Sequence, residues 1–202
     1  MTPPAFFNKI AKHYDLLTHL YLYGTYNAVR RRVLDLHRNE NTEVLDICCG
    51  TGYISNSVSA DRVVGIDLSM PMLRANQRNQ EQRNGDSHLI NGDIRTLPFK
   101  EAHFDEVYFT LGAHEFPDLA DVLSEVKHVM RPGGRLVIYD LYKPRNPLLR
   151  LFLYTFFYYF VEQRVMHIYT PEGWEMLLDE IGFRLESLEV PYGLSALVSA
   201  VK

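Results

Sequence analysis

The residues best suited to chemistry stand at the ends of short apolar runs. EVLDIC ends in the turn Cys49-Gly50-Thr51-Gly52, with Asp46 just before it, and RVVGID ends on Asp67. SHLINGD ends on Asp93, and FDEVYFTL opens onto Gly112, Ala113, His114 and Glu115. Gly50 and Gly52 let the backbone turn sharply and approach a ligand closely. Asp67 stands 21 residues after Asp46, a spacing that suits an acid gripping ribose hydroxyls. Each feature alone has a plain reading: a GxG turn occurs in many unrelated folds, and a single carboxylate after a strand caps a helix or faces water. Together, and in this order, they ask for a nucleotide-like ligand. A dinucleotide fingerprint needs a third glycine, but Tyr53, Ile54 and Ser55 follow Gly52. Asp46 would repel a pyrophosphate and suits a cation or an ammonium group. A ligand with an adenosine and a zwitterionic tail meets all three conditions.

The elements that must position these residues alternate. Strands are expected at EVLDIC, RVVGID, SHLINGD, FDEVYFTL and GRLVIYDL. Helices are expected after CGTG, over SMPMLRANQRN with Ser69 as N-cap, and over PDLADVLSEVKHVM, stopped by Pro132-Gly133-Gly134. This alternation implies a parallel sheet with right-handed crossovers, whose ligand lies beyond the carboxyl ends of the strands. A last helix starts at Thr170-Pro171 and ends near Ile181-Gly182. FRLESLEV and LSALVSAVK follow, joined by so short a link that they form an antiparallel hairpin. The first 38 residues read as two helical segments broken near Gly24, and Arg30, Arg31 and Arg32 read as a solvated face.

VLDICCGTG, VVGIDLS, NGDIRTLPF, FDEVYFTLGAHEFPD and VMRPGGRLVIYDL resemble the class I S-adenosylmethionine-dependent methyltransferases. The opening FNKIAKHYDLLTHLYLYGTYNAVRRR is similar to the ubiquinone/menaquinone-biosynthesis group among them. The resemblance implies one α/β domain over residues 1–202, with a three-layer, Rossmann-like seven-stranded sheet in the order 3-2-1-4-5-7-6 and strand seven antiparallel. An N-terminal helical flap over 1–38 and an aromatic lid over 143–169 complete it. S-adenosyl-L-methionine is the implied cofactor. Asp46, Cys49, Gly50 and Gly52 would lie near its methionine moiety, and Asp67 at the ribose. Leu68 and Met72 would lie near the adenine, and Asp93 would accept from the adenine amino group with Ile94 beside it. Thr110 and Leu111 would flank the sulfonium, and Tyr14 belongs to the flap. The family pattern carries Gly at the place of Cys48 and an Arg-Asn pair at the places of His114 and Glu115.

Methyl transfer from a sulfonium needs proximity, orientation and, for a protonated acceptor, a base. His114 is the candidate base, with Glu115 orienting it or the substrate. The plainer alternative is that His114 only lines the pocket. Cys48 and Cys49 read as small buried side chains rather than nucleophiles.

Composition narrows the field further. The chain has 202 residues, 47% hydrophobic, with a formal net charge of −4, enough for one cored domain and no global basic field for nucleic acid. The two cysteines are adjacent, so neither a disulfide framework nor a metal-ligand spacing is present, and a reducing, cytoplasmic setting is expected. No signal peptide and no membrane span are read. PRNPLLRLFLYTFFYYFVEQR sets aromatic stripes at helical spacing, and Lys143 to Arg164 holds four basic residues and one acidic one. One reading is a lid helix packed on the domain. The other is a wall for a lipophilic acceptor, or a peripheral contact of 148–164 with an anionic membrane surface. A small lipophilic or aromatic acceptor is thus expected, methylated at a quinone carbon or an amino-lipid nitrogen. O-, N- or S-methylation of a soluble metabolite is the alternative. An NAD-linked oxidoreductase and a non-catalytic methyltransferase fold are the rival classes.

Overall fold

Strands form where β-branched and aromatic residues alternate between two apolar faces. In the computed structural model, residues 3–21, 26–83, 86–148, 151, 167–191 and 195–202 are described. Helices α1 (Pro3–Ile10), α2 (Tyr14–Tyr21) and α3 (Tyr26–Leu34) precede β1 (Glu43–Ile47) and β2 (Arg62–Asp67). Then come α4 (Met70–Arg83), β3 (Ser87–Asn91), β4 (Phe104–Thr110) and a short 3-10 turn, Ala113–Glu115. The chain closes with α5 (Leu119–Val129), β5 (Met130–Leu141), α6 (Pro171–Ile181), β6 (Arg184–Glu189) and β7 (Ser195–Val201).

The seven strands form one sheet in the order β3-β2-β1-β4-β5-β7-β6. The pairs from β3 to β5 are parallel, and β7 runs antiparallel to both β5 and β6. Successive residues point to opposite faces. Leu45, Val107 and Phe109 meet the apolar sides of α5 and α6 (Val122, Leu123, Trp174, Leu178), while Val44, Tyr108 and Val137 meet Val29 and Val33 of α3. The chain order reverses between β1 and β4, so the loops after those strands splay apart and leave a crevice.

Three local expectations differ from the structure. The N-terminal region holds a further break at 11–13, where the amide of His13 bonds Ile10 O at 2.8 Å, so that α1 and α2 are separate helices. After CGTG there is a run of turns in place of a regular helix: the amide of Asn56 bonds Gly52 O and that of Val58 bonds Ile54 O, both at 3.1 Å, but the amide of Ser55 is taken by the Asp46 carboxylate. Finally, α5 ends at Val129, before Pro132, and Pro132-Gly133-Gly134 lie inside β5. The C-terminus holds them there, since Gly133 N bonds Lys202 O and Lys202 N bonds Gly134 O. The last helix is as expected: the Thr170 hydroxyl accepts from Gly173 N, and Gly182 caps the end at φ 79°. The aromatic stripe falls on 149–150 and 152–166, outside the described residues.

Candidate active site

The turn after β1 is built from left-handed backbone. Cys48, Gly50 and Gly52 have φ of 52°, 51° and 83°. The conformation strains any side chain with a Cβ, and Cys48 carries that strain. A Cβ on Gly52 would lie 2.0 Å from Asn76 Oδ1. Asn76 supports the turn from beneath: it accepts from Asn56 Nδ2 at 2.7 Å and donates to Ser55 Oγ at 3.3 Å. Asp46 lies in the same layer, 1% exposed, accepting from Ser55 N at 3.0 Å, and its Oδ1 has no hydrogen-bond partner among the described residues. Burial pushes its carboxyl up to about 7. Burial likewise raises both thiols well above their ordinary value. Cys49 is buried and Cys48 is half-buried on a cavity wall.

That cavity, of about 300 Å³, occupies the crevice between the β1 and β4 loops. Asp67, Leu68, Met72, Asp93, Ile94 and Leu111 are among its walls, together with Gly50 and Tyr14. The Asp67 carboxylate accepts from Gly50 N on one oxygen and from Ser69 N on the other, each at 2.8 Å. A carboxylate has about four lone-pair sites, so one remains on each oxygen for a pair of hydroxyls. Asp93 Oδ1 accepts from Arg95 N at 3.0 Å. Arg95 also bonds Asp118 at 2.8 Å and lies over the Phe116 ring, closing that wall. A narrow annex continues past Gly50, lined by Cys49, Thr51, Thr110, Tyr139 and Arg30. Asp46, Gly52 and His114 line neither space: Asp46 and Gly52 shape the turn from behind.

The helices of the flap are tied to these loops. Asn8 Oδ1 accepts from the Ser69 hydroxyl at 2.7 Å, and Asp15 Oδ1 accepts from the Thr51 hydroxyl at 3.0 Å. Tyr14 stands edge-on to Phe7, and burial pushes its phenol up to about 12 against the opposing influence of Arg30 and His114. Arg30 is not part of a solvated face. Its side chain is 12% exposed, bonded to Asp15 at 3.3 Å and stacked 4.0 Å above the Tyr53 ring. Arg32 does face outward, paired with Glu189.

His114 and Glu115 occupy the 3-10 turn after β4. A Cβ on Gly112 would lie 2.8 Å from the Phe109 ring and 3.0 Å from Cys48 Cβ, so glycine lets this turn close against the first loop. Glu115 faces the cavity, whereas His114 turns back toward β5. There its Nδ1 lies 2.5 Å from Asp140 Oδ1, and its amide donates to Asp140 Oδ2 at 3.1 Å. Two residues of this site were not singled out from the sequence. Arg30 was one of three adjacent arginines, and only α3's docking tells which points inward. Asp140 lies one residue before the end of GRLVIYDL, and a carboxylate near a strand tip is the available signal. Among the described residues, no cluster of three His, Cys, Asp or Glu could hold a metal ion.

Comparison with known proteins matches this arrangement. Residues 4–170 fit the model of the ubiE/COQ5 methyltransferase family. The demethylmenaquinone methyltransferase of Lactiplantibacillus plantarum is 35% identical over 152 residues, 71% of this chain and 64% of that protein. The Thermus thermophilus enzyme of the same name is 28% identical over 95% of this chain and 97% of its own length. The chain therefore spans just under two thirds of the first of these relatives and nearly all of the second. The crystal structure of BH2331 from Bacillus halodurans C-125 superposes with a TM-score of 0.69 at 29% identity, over 80% of this chain and 70% of that one. The chain belongs to the ubiE/COQ5 methyltransferase family.

Proposed function

We propose that this protein transfers the methyl group of S-adenosylmethionine to a ring carbon of a quinol. The cavity at the β1–β4 switch carries the reading: two carboxylates, from the tips of β2 and β3, stand on its wall with acceptor sites to spare, in a chain of this family. Asp67 would take the ribose hydroxyls, and Asp93 the adenine amino group between Leu68, Met72 and Ile94. Cys49, Gly50, Thr110 and Leu111 border the annex where the methionine tail and sulfonium would lie. Arg30 at its end would meet the carboxylate of that tail, and Tyr14 would close the flap. Asp46, one layer below, would act through the turn it braces, holding the Ser55 amide beneath the annex.

When bound, the cofactor supplies a methyl group on a positively charged sulfur, which departs as a neutral thioether. The protein's part is to hold the acceptor carbon in line, exclude water and receive a proton. Glu115, on the cavity wall in the turn after β4, would receive it, with His114 behind. The names of the relatives support a naphthoquinol acceptor. The aromatic sequence of 148–164 supports a lipophilic one, and extends the reading to a peripheral contact with an anionic membrane surface.

Purified protein, incubated with S-adenosylmethionine and a prenylated 1,4-naphthohydroquinone, should yield the ring-methylated product by mass spectrometry. Phosphatidylethanolamine should remain unchanged. Methylation of the amino lipid alone would replace the quinol with an amine acceptor. Transfer to neither would overturn the reading.

A further inference from the structure

The family pattern implies an Arg-Asn pair where this chain has His114-Glu115, so the way a proton leaves the acceptor must be read from this chain's own geometry. Glu115 lines the cavity with its side chain 7% exposed. His114, at 5%, stands behind it and does not reach the cavity wall. The His114 Nε2 lies 3.4 Å from Glu115 Oε1, and its Nδ1 lies 2.5 Å from Asp140 Oδ1. Three side chains thus run in one line from the cavity into the protein: Glu115, His114, Asp140.

The hydrogens in this line can be assigned. Asp140 also accepts from two backbone amides, His114 N at 3.1 Å and Leu141 N at 2.5 Å. An ionised carboxylate held by two amides can only accept, so opposite it the hydrogen of the short contact belongs on Nδ1. A neutral imidazole protonated at Nδ1 carries its lone pair on Nε2, and Nε2 faces Glu115. An anion behind an imidazole stabilises the imidazolium that forms when Nε2 takes a proton, and does so strongly where water is excluded.

We propose that Glu115, not His114, touches the acceptor and takes its proton, and that His114, held by Asp140, receives that proton from Glu115. Glu115 is then the catalytic residue, and His114 and Asp140 are positioning and relay residues. This rests on the quinol-methylating reading above. The quinol O–H bond breaks with its electron pair left on oxygen, and the proton passes to Glu115 and on to Nε2. The ring carbon beside that oxygen forms the new C–C bond while the pair of the carbon–sulfur bond leaves with sulfur. The displaced ring C–H proton is released, the relay returns its proton to oxygen, and one proton is lost overall. The relay is also joined to the segment after β5, because His167 N donates to His114 O at 2.9 Å.

The test compares single-turnover methylation of a prenylated 1,4-naphthohydroquinone by wild type, Glu115→Gln and Asp140→Asn across pH. Calorimetry with S-adenosylmethionine checks that each variant still binds. Glu115→Gln should slow transfer about 100-fold or more with binding unchanged. Its deficit should narrow as the pH rises and the quinol ionises in solution. Tyr14, Asp67, Asp93 and Arg95 share the cavity and are the same in all three proteins, so differences between the profiles report the relay. Asp140→Asn removes the anion behind the imidazole, so its rate should fall and its acidic limb should move to lower pH. If Asp140→Asn does not fold, Glu115→Gln carries the test alone. A Glu115→Gln protein as fast as an active wild type overturns the relay and leaves the function standing, as does a profile parallel to wild type. A wild type that methylates no quinol overturns both.

Discussion

Asp46 shows how burial and chemistry compete at a single residue. Burial beneath the turn outweighs what Ser55 offers its carboxyl and raises it from 3.8 to about 7. A carboxyl raised on folding is favoured in its protonated form. Its contribution to stability is therefore full below about pH 4 and is lost as the pH rises through about 7. The ligand-free protein should lose stability between about pH 4 and pH 7, on the order of a few kcal/mol, and level off above that. Asp46→Asn should flatten that decline, as read from urea midpoints at each pH. Asp67 differs in degree: burial raises its carboxyl too, but two amides, Ser69 N and Gly50 N, oppose the shift and leave acceptor sites free on both oxygens. Asp67→Ala should weaken S-adenosylmethionine binding by about 1–3 kcal/mol in calorimetry. Unchanged affinity would move the ribose elsewhere. Asp67 and Asp93 were legible in the sequence because a strand tip fixes where a side chain goes. Arg30 and Asp140 were not, because their partners are 15 to 26 residues away and depend on how elements dock.

The elements divide by whether local sequence decides them. The strands and α6 carry their own signals: alternating apolar residues, Thr170 and Pro171 at the start, Gly182 at the end. The turns after Gly52 do not. Three serines and an asparagine among residues 53–60 already favour turns, and Asp46 capturing an amide and asparagines 56 and 76 bonding across the chain hold them there. The flap is also a product of docking. Asp15 on α2 accepts from both Thr51 in the glycine turn and Arg30 on α3, so one carboxylate joins two helices to the cofactor loop. It is 47% exposed, which limits the ion pair to a modest share. Asp15→Ala should loosen the flap by about 1 kcal/mol. Limited proteolysis should then cut the first 34 residues faster than in wild type, and saturating S-adenosylmethionine should restore protection. Equal cleavage rates would mean that α1, through Asn8 and Ser69, holds the flap alone.

Across the molecule, the parallel strands bring the glycine turn, Asp67, Asp93 and Glu115 to their carboxyl ends, and the chain leaves β5 at that same end. Tyr142 pairs with Tyr169, Lys143 N bonds Tyr169 O at 3.0 Å, and His167 N bonds His114 O. The described residues on either side of the aromatic segment, Lys143 and His167 to Tyr169, thus meet one another beside His114. That segment opposes the rest of the protein in charge: four basic residues and one acidic one between Lys143 and Arg164, against −4 for the whole chain. Among the described residues no helix is long and apolar enough to cross a membrane, so attraction to a lipid surface would rest on aromatic side chains and local charge. Each basic residue near an anionic surface contributes about 1 kcal/mol, and salt screens it. The protein should therefore float with vesicles containing phosphatidylglycerol at low salt, float poorly with phosphatidylcholine alone, and dissociate as salt rises. Replacing Arg150 and Arg164 by Glu should abolish flotation while leaving S-adenosylmethionine binding intact. Equal flotation with neutral vesicles would assign the attachment to the aromatic residues, and none with either would overturn the membrane contact.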